Sequence, residues 1–96
     1  MERDEIIATL RGRQDALEQL SVKSLALFGS FARGEGGAES DIDILVEFKG
    51  KASFGQYMDL KFLLEGLLDR PVDLVTSQAL RPQLRPRIEK EAIRVT

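Results

Sequence analysis

LALFGSFARGEGGAESDIDILVEF, residues Leu25 to Phe48, decides how the rest of this 96-residue chain reads. An apolar run, Leu25-Ala26-Leu27-Phe28, stops at Gly29-Ser30. Ten residues later, Asp41-Ile42-Asp43 leads into a second apolar run, Ile44-Leu45-Val46. A short apolar run closed by glycine predicts a buried strand and a turn. Side chains alternate along a strand, so Ile42, Ile44, Val46 and Phe48 face one way and Asp41, Asp43, Leu45 and Glu47 the other. Both aspartates then project from one side, roughly 7 Å apart. Asp is depleted in strands, and Val72-Asp73-Leu74-Val75 repeats the conflict with a third carboxylate. Such local conflicts gather at functional sites.

Working outward, Met1 to about Leu20 has helical spacing in Ile6, Ile7, Leu10, Leu17 and Leu20. Glu2, Asp4 and Glu5 suit the start of that helix, where the dipole favours negative charge. Ser24 to Phe28 is the first strand. Ser30 to Arg33 is a turn or two of helix with Ser30 as N-cap and Gly34 as its end. Glu35 to Ser40 is a glycine-rich loop that can admit a substrate, with Ser40 tightening the turn before Asp41. Ile42 to Phe48 is the second strand, Lys49-Gly50-Lys51 a turn, and Ser53 to about Leu68 a helix capped by Ser53. Asp69-Arg70-Pro71 breaks that helix before the third strand, Val72 to Val75. A last helix is expected at Arg87 to Ala92, in a basic stretch read as a solvated face.

Composition narrows the chemistry. The length suits a single domain over residues 1–96 with one core. Hydrophobic residues at 43% and charged residues at 31% describe an ordinary globular chain. Cysteine and histidine are both absent, which excludes disulfides, thiolate or imidazole metal sites and any histidine-activated nucleophile. A metal here must be a hard cation held by oxygen, with Mg2+ or Mn2+ leading. A net charge of −2 gives no reason to expect direct nucleic-acid binding. No leader and no bilayer-length apolar run is read, so a cytoplasmic location and no membrane contact are expected.

Two familiar phosphate and calcium motifs fail on residues. A P-loop requires Lys after its second glycine, but Gly34 is followed by Glu35. A calcium loop requires oxygen ligands and glycine after Asp-x-Asp, where this chain has Leu45 and Val46. The residues do suit a metal-bound nucleotide. Asp41 and Asp43 can share metal ions that also grip a triphosphate, and Asp73 can complete a second site, the two ions about 4 Å apart. Gly29 lets backbone approach phosphate, and Ser30 with neighbouring N–H groups can donate to phosphate oxygens. Arg33 either contacts phosphate or the acceptor, or pairs with Asp41, Glu35 or Glu39 to shape the loop. Tyr57 reads as packing, and Glu47 lies too far along the strand to join the site.

The Gly29-Ser30, Asp41/Asp43 and Asp73 set, within GSFARGEGGAESDIDILV, resembles the polymerase beta-like nucleotidyltransferase superfamily and, within it, the minimal nucleotidyltransferases. The resemblance runs from about Leu25 to Val75. It implies an α/β fold with a small mixed β-sheet and flanking helices, in the order helix-strand-helix-strand-helix-strand-helix. It implies metal-binding and catalytic roles for Asp41, Asp43 and Asp73, and nucleotide binding by Gly29, Ser30 and Arg33. Mg2+ and ATP are the implied cofactor and donor. Larger relatives append acceptor-binding domains; a chain of this size is expected to borrow that surface from a partner or from a second copy in a homodimer. Minimal members resemble the antitoxin half of toxin–antitoxin pairs whose partner is a HEPN-type toxin, which implies transfer of AMP to a tyrosine hydroxyl of that toxin. Two other readings stand beside it: an antitoxin that masks its partner without catalysis, and a homodimeric enzyme acting on a small hydroxyl compound.

Overall fold

The computed structural model describes residues 2–96. Its elements run α1 Arg3–Arg11, α2 Gln14–Gln19, β1 Val22–Phe28, α3 Gly29–Ala32, β2 Ile42–Phe48, α4 Phe54–Leu68, β3 Val72–Thr76, α5 Arg85–Glu91 and β4 Ile93–Arg94. The four strands form one mixed sheet in the order β3-β2-β1-β4. β1 is antiparallel to both β2 and β4, whereas β2 and β3 run parallel, joined by α4 as the crossover such a pair requires. The expected small mixed sheet with flanking helices is the fold observed.

Alternation sorts the sheet into two faces. Leu25 and Leu27 of β1, Ile42, Ile44 and Val46 of β2, and Val72 and Leu74 of β3 are buried against Ile6 and Leu10 of α1, Leu17 of α2 and Leu60, Leu64 and Leu68 of α4. The helix positions recur every three or four residues, which is why one stripe of each helix reaches the sheet. Ser53 caps α4 as expected, accepting from the Gln56 N–H while Gln56 accepts from the Ser53 N–H, a closed capping box. Asp69 ends α4 in the left-handed region, at φ 52°. The opposite face of the strands carries Ser24, Ala26 and Phe28, then Asp43, Leu45 and Glu47, then Asp73 and Val75, and stays partly open.

Four expectations need correction. The single helix from Met1 to Leu20 is two, because Gly12-Arg13 interrupts it; residues 11–15 carry no apolar side chain to hold that segment to the core, and glycine weakens a helix interior. Met1 lies outside the described residues. The first strand starts at Val22, buried at 4%, with an irregularity in its pairing between Val22 and Ser24. The last helix starts at Arg85, since Pro86 occupies the first turn, where a missing N–H costs nothing. Finally, β4 was not anticipated: two residues show no alternation of their own, and the free edge of β1 supplies the pairing, Ala26 with Arg94 and Leu27 with Ile93. Arg11 secures this segment by donating to the carbonyls of Val95, at 3.3 Å, and Arg94, at 3.2 Å.

Candidate active site

Strand register builds the site. Phe28 pairs with Asp43 across the antiparallel ladder, and Asp43 pairs with Asp73 across the parallel one. Directly paired residues share a face, so Asp43 and Asp73 stand side by side on the open surface, next to the point where β1 turns into Gly29. Asp41 sits just before β2, exposed, and close enough to Asp43 to act on its charge. The three sequence-predicted carboxylates therefore gather at one end of the sheet.

Gly29 meets that row in close quarters. Its φ is +73°, and a Cβ placed there would collide with the Asp43 carboxylate, 2.9 Å from its Cγ. Glycine is required twice over, by conformation and by space. Ser30 does not act as the expected N-cap: α3 begins at Gly29, its N-cap is Phe28, and no side chain caps it. Moving the N-cap back by two residues puts Ser30 inside the first turn, where the leading N–H groups have no partner within the helix. The loop expected at Glu35 to Ser40 is present, and Ser40 tightens it as expected, exchanging bonds with Gly37 at 3.1 and 3.2 Å.

Electrostatics give the cluster its character. The Asp43 pKa is raised, first by partial burial, then by the charges of Asp73 and Asp41, while Arg33 pulls it down. Arg33 itself is drawn up by hydrogen bonds to Glu35 and then Glu91. It donates to Glu35 at 2.9 Å and to both oxygens of Glu91 at 3.3 and 3.1 Å. Of its two expected roles, this geometry displays the ion-pairing one; Glu35 is an anticipated partner, and Asp41 and Glu39 are not used.

The donor set suits a hard divalent cation, because a half-buried carboxylate crowded by two more lowers its energy when a positive ion arrives. Among the described residues no three acidic side chains converge as a ready-made ligand shell.

Two residues of the site escaped the sequence reading. Glu91, on α5, accepts from the Gly29 N–H at 3.2 Å as well as from Arg33. Arg70, just after α4, donates to the Gly37 carbonyl at 2.7 Å and the Ser40 carbonyl at 2.6 Å, with its guanidinium 5.3 Å from the Phe31 ring centre. It thereby ties the glycine-rich loop beside the carboxylates. Elsewhere, Glu47 pairs with Lys23 at 3.6 Å, and the Tyr57 hydroxyl donates to the Leu74 carbonyl, a packing role as expected. A cleft of about 570 Å³ lies near the other end of β2, lined by Lys23, Phe48, Ser53, Phe54, Tyr57 and Gln78 among others, away from the aspartates. Among the described residues no helix is long and apolar enough to cross a membrane.

Comparison with known proteins identifies the family. The family model of the nucleotidyltransferase domain matches residues 10–95. A Methanocaldococcus jannaschii protein provisionally named protein adenylyltransferase MJ1379 is 44% identical over 95 residues, covering 95% of each chain. A solved structure provisionally described as a minimal nucleotidyltransferase superposes with a TM-score of 0.78 at 37% identity, covering 97% of this chain and 95% of that one. At 22% identity, and so for the fold alone, the complex of a tri-AMPylated Shewanella oneidensis HEPN toxin with its MNT antitoxin matches with a TM-score of 0.60, covering 91% of this chain and 70% of that one. With its Gly29-Ser30 turn set against Asp43 and Asp73, the chain belongs to the nucleotidyltransferase-domain family and is an enzyme of that class.

Proposed function

We propose that this protein is a magnesium-dependent protein adenylyltransferase that transfers AMP from ATP to a tyrosine hydroxyl of a HEPN-type toxin, and so serves as its antitoxin. The observation that carries the chemistry is the Asp43–Asp73 pair, set beside Gly29 by strand register. The relative provisionally named protein adenylyltransferase supports a protein acceptor, and the AMPylated HEPN complex with the same fold supports the class of partner.

In this reading the acceptor oxygen attacks the α-phosphorus of ATP, the bond from that phosphorus to the bridging oxygen of pyrophosphate breaks, and pyrophosphate leaves. The divalent cation, when bound, supplies the positive charge that offsets the build-up of negative charge on the phosphate oxygens. Asp43 and Asp41 would hold it from the β2 side, and Asp73 from β3. In this reading the Asp73 carboxylate, the exposed member of the pair, also takes the proton of the incoming hydroxyl. Gly29 keeps the turn free of a side chain so that phosphate can approach, and the Ser30 hydroxyl and N–H donate to its oxygens. Arg70 restrains the loop over the carboxylates through Gly37 and Ser40. The AMP phosphodiester would block the toxin's active site by its bulk and its single negative charge.

The test is to co-purify the protein with its partner and weigh the partner intact before and after Mg-ATP. Gain of one or more AMP units, lost in the Asp41→Asn/Asp43→Asn double variant and in excess chelator, is the expected result. A bound partner that never changes mass would replace catalysis with masking. Turnover of a small hydroxyl compound by the isolated protein would replace the protein acceptor.

A further inference from the structure

We infer that Glu91 is a positioning residue of the active site, acting through the Gly29 amide and the Arg33 guanidinium, so that α5 and β4 complete the phosphate-binding turn. This rests on the reading of Gly29-Ser30 as that turn. Register explains how a residue so distant arrives there. β4 pairs Ala26 with Arg94 and Leu27 with Ile93. Carrying the same antiparallel register two positions further sets residue 91 opposite Gly29. The main chain has by then left the ladder, since α5 ends at Glu91, and the Glu91 side chain supplies the acceptor instead, taking the Gly29 N–H at 3.2 Å.

Local physics alone would not place a glutamate at this position. The C-terminal end of a helix carries partial negative charge, which disfavours a carboxylate there. Its side chain is also only 22% exposed. Contacts 58 and 62 residues away in sequence offset both penalties. One Glu91 oxygen is shared between Gly29 and Arg33, and the other also faces Arg33. The carboxylate thus joins the amide that opens the turn to the cation that acts on Asp43. What it positions is specific: the direction of the Gly29 peptide, and the placing of Arg33 between Glu91 and the aspartates. The Ser30 hydroxyl and the amides after it stay available for phosphate.

The experiment uses the full chain with Glu91→Ala, Glu91→Gln and Glu91→Asp. Amide NMR of the nucleotide-free protein reads the contact itself: in Glu91→Ala the Gly29 amide proton is expected to move upfield and exchange faster, and the Arg33 Nε–H to shift. Glu91→Gln keeps an oxygen for Gly29, so its Gly29 signal is expected to stay nearer wild type while Arg33 moves. Binding of the non-hydrolysable analogue AMP-PNP with Mg2+ then reads the consequence. Glu91→Ala is expected to weaken it about tenfold or more, the scale of losing a hydrogen bond to a charged group. Partial recovery is expected in Glu91→Gln. In transfer assays the loss is expected mainly in KM for ATP. Gly29 and Arg33 signals unchanged in Glu91→Ala would overturn the proposal whether or not nucleotide binds. Altered signals with unaltered binding would reduce Glu91 to a strut. Tighter binding in Glu91→Ala would also overturn it, making Glu91 a competitor of phosphate. Failure of the wild-type chain to bind nucleotide would instead count against the proposed function, leaving the NMR result to judge Glu91.

Discussion

The two faces of one sheet divide the work of this molecule. On the covered face, Leu25, Leu27, Ile42, Ile44 and Val46 have no solvent exposure. On the open face of the same strands, Asp43 is half-buried and Asp73 exposed, and each stands one residue away from a core position. Ile42 and Ile44 flank Asp43, and Val72 and Leu74 flank Asp73. A strand lets stability and reactivity sit on neighbouring residues without sharing space, because the alternation sends them to opposite sides. The core therefore holds the carboxylates in register although nothing in their own chemistry would bring them together.

Breaking the open face is expected to have the largest effect. The Asp41→Asn/Asp43→Asn variant should lose nucleotide transfer by about a thousandfold, the scale of removing preorganised charge from a reacting centre; initial rates beside circular dichroism spectra would show lost chemistry in a folded chain. Breaking the covered face should do the reverse. Ile44→Ala is expected to cost about 2–5 kcal/mol of stability, read as a lower denaturant midpoint, with transfer retained wherever the chain stays folded. Gly29→Ala joins both faces, since it strains a positive φ and pushes Asp43 aside; about 1–3 kcal/mol of destabilisation is expected, together with loss of transfer.

Smaller effects sharpen the comparison. The folded protein holds the Asp43 proton more tightly than the unfolded chain does, its ordinary value being 3.8. The contribution of this group to stability is thus full below that value and is lost as pH rises through the raised one. Asp43→Asn removes the loss, so without metal the variant is expected to be more stable than wild type near neutrality. Thermal melts across pH would detect this, and a less stable variant would contradict the like-charge picture. Arg70→Ala should have the mildest effect, loosening residues 34–40, with faster amide exchange there and slower transfer but a loss of only about 1 kcal/mol in stability.

Local signals account for what could be read from the sequence. Ile42 to Phe48 alternates cleanly, and that pattern placed β2 and the face of Asp43 without further help. Ser53 announced the start of α4 because an N-cap is a local device, although its reciprocal partner Gln56 was not read. The gap between Leu10 and Leu17 concealed a break at Gly12, where periodicity was carried across residues that have none. β4 and Glu91 left no trace, because both are defined by partners far away: one by the edge of β1, the other by Gly29 and Arg33. Arg70 beside Pro71 read only as part of a helix stop. Its carbonyl partners at Gly37 and Ser40 lie about thirty residues upstream.

The short β4 has a consequence for how the protein is made. The Gly29 amide finds its partner 62 residues downstream. At the usual pace of roughly 5–20 residues per second, several seconds of translation separate the two. During that interval the nascent chain already carries Asp41 and Asp43 but lacks the last contact of the turn beside them. Arg11, which clasps Arg94 and Val95, waits longer still, since its partners lie 83 and 84 residues downstream. The turn beside the aspartates and the edge of β1 are thus completed last, by residues 91–95 at the far end of the chain.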